Sequence, residues 1–334
     1  MANLPRHRVA MTIPGPTANV ADSIAMAKRL EQLGWDDIWL ADAGGLDALT
    51  LVPMLLAATE NTRIGTAVVP VFTRTPAVLA STFAVINQAY PGRFIPGLGT
   101  SSHAIINNWH GLTMEKPLTR IKETMTLLRS MMAGEKTNFE GEILRSKGYR
   151  QAPTSNQPIY LAGLRPNMLE TAAEISDGVI LNLFPRSALP KIMEHIAIGA
   201  ERAGKDPASV EVVCRHMMCL TNDKELGRAA FRAAFGPYYA TPVYNKFLAW
   251  AGHEDTAKEI AEGFKARDRQ RTSAAMTDEL VDQIALIGDE AECQDLIREY
   301  AAGGIHTHVM SPMIPDPQMI ENTVMAFSNE RFSF

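Results

Sequence analysis

The chain has 334 residues, of which 46% are hydrophobic and 21% are charged, and its formal net charge is −5 at pH 7. This composition is typical of a globular protein with a large core, and the charge provides no attraction to nucleic acid or to an anionic membrane. No apolar run approaches the roughly 20 residues that a transmembrane helix needs. We therefore expect a protein that acts on small molecules and binds neither nucleic acid nor a membrane.

The cysteines and the start of the chain bear on the cellular compartment. The three cysteines, Cys214, Cys219 and Cys293, match neither a disulfide framework nor a cysteine-based zinc site. Residues 1–15 contain no apolar segment followed by a small-residue cleavage site. These features predict a cytoplasmic protein whose cysteines are buried and unpaired.

Short apolar runs alternate with longer amphipathic stretches along most of the chain, which predicts strands that are each followed by a helix. In the first half we predict strands over 7–13, 37–41, 63–69 and 93–98, and helices over 20–33, 46–59, 76–90 and 117–133. In the second half we predict strands over 159–162, 178–183, 210–220 and 305–310, and helices over 167–175, 188–203, 290–302 and 317–327.

Eight strands that are each followed by a helix predict a (β/α)8 TIM barrel, because parallel strands need crossovers and closure leaves no open sheet edge. Two segments interrupt the repeat: residues 134–157, a hairpin-like insertion after strand four, and residues 223–289, a helical and polar insertion after strand seven. The competing fold is an open doubly wound sheet, but residues 12–18 lack the G-x-G-x-x-G fingerprint. We predict one domain over residues 1–334.

The active site of such a barrel lies at the carboxyl ends of its strands. Strand two ends at Asp42, which could orient a bound ring or transfer a proton, or could instead form a turn. Strand three carries the small residues Gly65, Thr66 and Ala67. These residues would let a flat ligand lie against the backbone, or would only fill a tapering barrel.

Two further loops carry groups that suit a phosphate-bearing cofactor. Glycine permits close backbone approach, and hydroxyls can donate to carbonyl or phosphate oxygens, in the run Gly99, Thr100, Ser101 and Ser102 after strand four. After strand five the chain runs through Ala162, Gly163, Leu164 and Arg165 into a helix. Helix N-terminal N–H groups and a guanidinium predict an anion site, with a solvated loop as the alternative.

The histidines give weaker predictions. His306 and His308 share one face of strand eight, but no H-x-H on strand one and no carboxylate cluster completes a metal site, so no metal is expected. His103 and His110 lie in the loop after strand four, where a surface role competes with a role at the substrate. His216 within strand seven is predicted to lie in the core or to line the pocket.

Five segments together resemble the luciferase-like flavin and deazaflavin oxidoreductases, in particular the branch that uses coenzyme F420. They are AKRLEQLGWDDIWLAD (27–42), TRIGTAVVPVFTRTPAVLAS (62–81), YPGRFIPGLGTSS (90–102), PIYLAGLRPNMLETAAEISDGVILN (158–182) and IGDEAECQDLIREYAAGGIHT (287–307). The segments follow the order of the family and span nearly the whole chain.

The resemblance implies that a flavin or deazaflavin ring lies against a bulge in strand three, where a non-proline cis peptide would join Ala67 and Val68. It implies that Asp42 approaches the ring. It also implies that the hydroxyl-rich loop at 100–102 binds the ring carbonyls or ribityl chain, and that residues 162–165 hold the phosphate end. This sequence departs from sugar-phosphate-oxidising members at Ala43, where they carry a basic histidine, and at Arg165, where a small residue is common.

The resemblance implies hydride transfer between F420 and a small organic substrate, with His110 or Asp42 as candidate proton donors and no firm catalytic residue. One alternative is an FMN-dependent monooxygenase, which would need a flavin reductase as partner. Another is a flavin-binding barrel without catalysis, and a metal-dependent hydrolase has the least support. Because members of the family are usually dimers, the resemblance also implies a homodimer.

Overall fold

The computed structural model describes residues 5–13, 19–154 and 157–334 of the chain. Its strands are β1 (Arg8–Thr12), β2 (Asp37–Leu40), β3 (Arg63–Thr66), β4 (Val69–Pro70), β5 (Phe94–Ile95), β6 (Gly97–Gly99), β7 (Asn138–Glu140), β8 (Arg145–Lys147), β9 (Tyr160–Ala162), β10 (Gly178–Asn182), β11 (Glu211–Leu220), β12 (Leu286–Gly288) and β13 (Thr307–Pro312).

The described α-helices are α1 (Val20–Gln32), α2 (Ala48–Ala58), α3 (Pro76–Ala89), α4 (Pro117–Met132), α5 (Pro166–Ile175), α6 (Leu189–Arg202), α7 (Lys224–Tyr239), α8 (Pro242–Trp250), α9 (Glu254–Lys265), α10 (Arg269–Ala274), α11 (Asp278–Ile284), α12 (Glu290–Ala302) and α13 (Pro317–Ala326). A π-helix runs over Ala104–Trp109, and short 3-10 turns cover Arg186–Ala188 and Pro207–Ser209. In the parts of the chain that the structure describes, no helix is both long and apolar enough to cross a membrane.

The larger sheet closes into a barrel of parallel strands. The neighbour order is β4-β6-β9-β10-β11-β13-β1-β2-β3-β5, and β12 pairs with the end of β11. Because β3 and β4 are two parts of the third barrel strand, and β5 and β6 two parts of the fourth, the two ends of this order are joined. The predicted (β/α)8 barrel with insertions after strands four and seven is confirmed, whereas the third and fourth strands, predicted as unbroken, are each interrupted.

The interruption of the third strand is a β-bulge. Gly65 pairs with Ile95 and Val69 pairs with Leu98, so the three residues 66–68 of strand three lie opposite the two residues 96–97 of strand four. The Ala67–Val68 peptide inside this bulge is cis, as the resemblance implied.

Thr66 and Gly97 hold the bulged strand against strand four. The hydroxyl of Thr66 accepts a hydrogen bond from the backbone N–H of Gly97 at 2.8 Å and donates one to its carbonyl at 2.9 Å. A Cβ on residue 97 would lie 1.9 Å from the backbone oxygen of Thr66, so only glycine allows this approach. The contact fixes the strand at the point where the chain changes direction.

The barrel interior is layered. The middle layer is an apolar cluster of Ala10, Trp39, Ile95, Tyr160, Ile180, Val213 and Val309. Below it, at the amino ends of the strands, lies a buried ion network: Arg63 binds Asp37 at 2.6 Å and Glu211 at 2.8 Å, and Tyr160 and Thr307 donate to Glu211. These layers close the lower part of the barrel, so a ligand can enter only from the carboxyl ends.

The two insertions differ in construction. Residues 134–157 contain the antiparallel pair β7–β8, the hairpin expected there. The segment 223–289 contains five helices and β12, and it buries its own apolar cluster around Phe231, Tyr239 and Leu248. The segment is helical, and its helices carry polar residues outside and pack apolar faces against each other and against the end of strand seven.

Candidate active site

The upper layer of the barrel interior is where a ligand would meet side chains. Side chains alternate along a strand, so the residues two positions beyond the middle layer point into the same interior nearer the carboxyl ends. They include Thr12, Ala162, Asn182, Arg215 and Ser311, joined by Ala67 from the bulge. This layer has two unlike sides: strands three to five supply small apolar groups, and strands one, six, seven and eight supply polar groups.

The small-residue side forms a floor, defined here by Ala67, Val68, Gly99 and Ala162. Ala67, Val68 and Ala162 are half-buried and pack on the apolar middle layer. A Cβ on residue 99 would lie 2.5 Å from the side chain of Val68 and 3.4 Å from Cβ of Ala162. Predicted site residues from three different strands therefore meet in one surface, and its lack of bulky groups fits a planar ring.

Thr66 has a different role from the residues around it. Its side chain is completely buried, and its hydroxyl is already bonded to both backbone groups of Gly97. It would support the floor from below rather than touch a ligand with its side chain.

The loop after strand four begins with the three hydroxyl residues. Thr100, Ser101 and Ser102 are half-buried, and Ser101 has a left-handed backbone with φ of 61°. The hydroxyl of Ser102 accepts from the N–H of Ile105 at 3.4 Å, at the start of the π-helix. Non-glycine residues with positive φ are concentrated at functional sites, which makes this loop a candidate ligand contact.

The same loop extends over the end of strand three. A Cβ on Gly44, in the loop after strand two, would lie 3.2 Å from the indole of Trp109, so the π-helix reaches over the neighbouring strand to that loop. His103 and His110 flank the π-helix and are exposed.

The loop after strand five leads to the start of α5. Gly163 is buried and approaches the backbone of Leu169 closely, Leu164 is half-buried, and Arg165 is exposed at the N-cap position. None of the described side chains caps this helix. Pro166 has no N–H, and the N–H groups of Met168 and Leu169 donate to the carbonyl of Arg165 at 2.9 Å. The N–H of Asn167 and the guanidinium of Arg165 therefore remain available to an anion among the described groups.

Asp42 is tied to the loop after strand three. One carboxylate oxygen binds Arg74, which also binds Asp47, and the other lies 3.4 Å from the N–H of Ala48. Arg74 thus joins the loops that follow strands two and three, on either side of the bulge. Asp42 is half-buried, so its carboxylate is positioned rather than mobile.

Arg215 is the main site residue that the sequence analysis missed. Its Nη2 donates to the hydroxyl of Ser311 at 2.7 Å and its Nε to the hydroxyl of Thr12 at 3.4 Å. None of the described carboxylates lies within 4.0 Å of this guanidinium. Burial lowers its pKa. Part of the signal was available, because an arginine two positions after Val213 shares its face of strand seven, but the sequence pattern does not show that this face lies inside the barrel.

The second insertion supplies a wall beside Arg215. Tyr244 lies near Asn182 and Arg215, and burial raises the pKa of its hydroxyl to about 12, so it stays protonated at neutral pH. Its ring lies 6.0 Å from that of Tyr238, which is 44% exposed. Aromatic residues at this position suit a flat or apolar substrate.

His216 and His308 lie outside the barrel interior. They contact each other at 3.2 Å on the outer face of strands seven and eight, and the ring of His216 packs on Tyr300 of α12. Burial lowers the pKa of His216 to about 3. His216 is therefore a core residue, one of the two roles expected for it, and the described residues contain no group of three or more potential metal ligands.

Comparisons with known proteins agree with this geometry. The 5,10-methylenetetrahydromethanopterin reductase of Methanolobus tindarius is 31% identical over 304 residues, which cover 87% of this chain and 90% of the relative. The coenzyme F420-dependent tetrahydromethanopterin reductase of Methanopyrus kandleri has a TM-score of 0.82 at 21% identity, covering 97% of this chain and 98% of that one. An F420-dependent secondary alcohol dehydrogenase, solved with an F420–acetone adduct, has a TM-score of 0.77 at 19% identity, covering 96% and 97%.

The two structural likenesses concern the fold, since both are below 25% identity. The sequence evidence goes further, because the model for luciferase-like monooxygenases matches residues 4–307, almost the entire barrel. Its relatives include two 5,10-methylenetetrahydromethanopterin reductases and a putative coenzyme F420-dependent oxidoreductase of Mycobacterium tuberculosis. The chain therefore belongs to the luciferase-like monooxygenase family.

Proposed function

We propose that this protein is an F420-dependent oxidoreductase that transfers a hydride between the deazaflavin and a small organic substrate at the carboxyl end of the barrel. The observation that carries the proposal is the floor of small residues beside the cis peptide of strand three. The floor fits a tricyclic ring, and the relatives include a 5,10-methylenetetrahydromethanopterin reductase at 31% identity and a putative coenzyme F420-dependent oxidoreductase at 25%. Bound reduced F420 would supply the hydride.

The residues of this chain would position the two reactants. The floor formed by Ala67, Val68, Gly99 and Ala162 would hold one face of the ring, and the loop at 100–102 would donate hydrogen bonds to its polar edge. The N-terminus of α5 and Arg165 would bind the phosphate. Asp42, held by Arg74, would contact the ring from the loop after strand two. The substrate would occupy the space between the ring and the polar side of the layer.

The first test is equilibrium binding of F420 and of FMN to the purified protein, followed by fluorescence. Tight F420 binding with weak FMN binding is the expected result. A second measurement then tests whether enones, imines or nitro compounds oxidise reduced F420 in the presence of the protein. Preference for FMN would overturn the proposal and support a monooxygenase served by a flavin reductase, as the family's name suggests. Binding without turnover of any acceptor would support a non-catalytic carrier.

A variant links the binding to the floor. Ala162→Leu adds three carbons to the floor and should weaken F420 binding by about 10- to 100-fold, given the cost of about 1–3 kcal/mol for overpacking a filled site. Ala133→Leu adds the same groups at the exposed end of α4 and is the matched control. Equal effects of the two substitutions on F420 affinity would show that the floor does not contact the cofactor.

The proposal also includes a single domain and a homodimer. One domain over residues 1–334 is supported by the pairing of β12 with β11 and by the contact of α11 with the 3-10 turn after strand six, which tie the second insertion to the barrel. A homodimer is supported by apolar residues exposed on neighbouring helices, Met54 on α2 with Val78 and Val85 on α3. Light scattering should give twice the mass of one chain, and Val85→Glu should shift it to the monomer.

A further inference from the structure

We infer that Arg215 is a specificity-determining residue that selects electron-poor carbonyl acceptors, such as enones, over cationic iminium acceptors. The inference rests on the proposed function and deepens it by naming the substrate class. It comes from the position of one guanidinium inside the barrel and from the groups that surround it.

The position of Arg215 is opposite the ring site. In a ring of eight strands, strand seven lies four strands from strand three, so the two face each other across the interior. A planar group on the floor beside Ala67 and Val68 would therefore expose its free face toward strands six to eight. A substrate in this space would lie between the ring and Arg215.

The charge of Arg215 is not neutralised by the protein. Its described partners are the neutral hydroxyls of Thr12 and Ser311, and its Nη1 forms no hydrogen bond with the described residues. The segments outside the description, 1–4, 14–18 and 155–156, contain no Asp or Glu. By contrast, Arg63 at the other end of the barrel binds two carboxylates. A half-buried guanidinium without a counter-charge is a site for a ligand oxygen that carries or gains negative charge.

The chemistry of an enone fits this site. With a hydride supplied by bound reduced F420, a new C–H bond would form at the β-carbon of the C=C–C=O unit. The C=C electrons would shift toward the carbonyl carbon, and the carbonyl pair would move onto oxygen. The resulting enolate oxygen would accept hydrogen bonds from Arg215. These hydrogen bonds strengthen as negative charge develops on the oxygen in the transition state. A proton from water then adds to the α-carbon, giving the saturated ketone and oxidised F420.

An iminium acceptor has the opposite electrostatics. Its C=N carries a positive charge before hydride transfer and none afterwards, so a fixed guanidinium beside it repels the substrate and gains no new interaction in the transition state. In the neighbouring wall of Tyr238 and Tyr244, burial raises the pKa of the Tyr244 hydroxyl to about 12 and so keeps that hydroxyl neutral. The wall would accept a bicyclic ring of either charge, so Arg215 decides between the two classes.

The test compares chromone, a neutral bicyclic enone, with N-methyl dihydroisoquinolinium, a cationic acceptor of similar size. Both are titrated calorimetrically into the protein saturated with oxidised F420, where no turnover occurs. Arg215→Met should weaken chromone binding about tenfold and leave binding of the cation unchanged or tighter. Arg145→Met removes the same charge from the exposed hairpin strand β8 and should change neither.

Turnover gives the second measurement, with reduced F420 followed by absorbance. Arg215→Met should lower kcat/KM for chromone about 100-fold, because a charged donor to the developing oxyanion is lost. The kcat/KM of Arg215→Lys should lie between those of Arg215→Met and the unaltered protein. Equal losses for both acceptors, or faster reduction of the cation by the unaltered protein, would overturn the inference while the proposed function stands. Failure of every acceptor despite F420 binding would instead overturn the proposed function. F420 affinity and the unfolding temperature of each variant show whether the site remains intact.

Discussion

Charged residues at the two ends of the barrel differ in how completely they are paired. At the amino ends, Asp37 and Glu211 share Arg63, and further donors satisfy their remaining oxygens. At the carboxyl ends, Asp42 is paired through Arg74, whereas Arg215 and Arg165 have no carboxylate partner among the described residues. Paired charges of this kind hold the fold, and the unpaired ones are available to ligands.

Asp42 and Asp47 give a matched pair for testing the loop after strand two. Both bind Arg74, but Asp47 is exposed and also caps α2. Asp42→Asn should weaken F420 binding about fivefold, because it loosens the loop beside the ring. Asp47→Asn should change it less than about twofold, since asparagine is an equally good cap. Fluorescence titration measures both, and a larger effect at Asp47 would contradict the role of Asp42.

Arg165 should contribute through charge. Arg165→Met is expected to weaken F420 binding about tenfold at low ionic strength and by less at high salt, because an exposed charge is screened. Titrations at two salt concentrations test this. An affinity loss that does not depend on salt would mean that Arg165 acts through packing, and no loss would remove it from the phosphate site.

The decisive element is the bulged third strand. In a regular strand, Ala67 and Val68 would pair in register with the fourth strand. The extra residue breaks this register, and both residues instead form part of the floor. The bulge is held by one hydroxyl against one glycine, because the cis segment leaves the backbone groups of Gly97 without a regular ladder partner on strand three.

Thr66→Val should therefore lower the free energy of unfolding by about 1–3 kcal/mol, since the valine leaves a buried N–H and C=O of Gly97 unsatisfied. F420 binding should weaken as well, because the floor rests on this contact. Thr66→Ser keeps the hydroxyl and is the control. Thermal and urea unfolding measure stability, and a stable Thr66→Val variant with normal affinity would contradict this account of the bulge.

At the scale of the molecule, the ion network at the closed end of the barrel links strands that are distant in sequence. Strands one, two, three, five, seven and eight each contribute their first residue to it, and Glu211 is its most highly bonded acid. Burial alone would raise the pKa of Glu211, but hydrogen bonds and attraction from Arg63, with hydrogen bonds from Thr307 and Tyr160, lower it to about 2.

This shift predicts an acid dependence of stability. The folded pKa of about 2 lies below the ordinary value of 4.5, so the contribution is complete above pH 4.5 and disappears as the pH falls toward 2. The difference corresponds to about 3 kcal/mol. Glu211→Gln should lose about this amount at pH 7 and show a flatter pH profile below 4.5 in urea unfolding. Glu201→Gln, at an exposed position, is the control.

The periodic elements, and therefore the fold class, follow from the amino-acid sequence. The eight apolar runs, the helix between each pair and the positions of both insertions could all be predicted, because alternation of buried and exposed residues is local. The loops at Asp42, at 99–102 and at 162–165 could also be located, since the carboxyl ends of barrel strands form one surface.

Only the tertiary structure decided which side chains face each other across that surface. The direction of Arg215 depends on which face of strand seven lies inside, and its missing counter-charge depends on every strand around it. Likewise, the apolar core of the second insertion and the wall at Tyr244 come from contacts between helices. These properties involve residues distant in sequence, so the local pattern determined the barrel, and the closed barrel determined the chemical character of its interior.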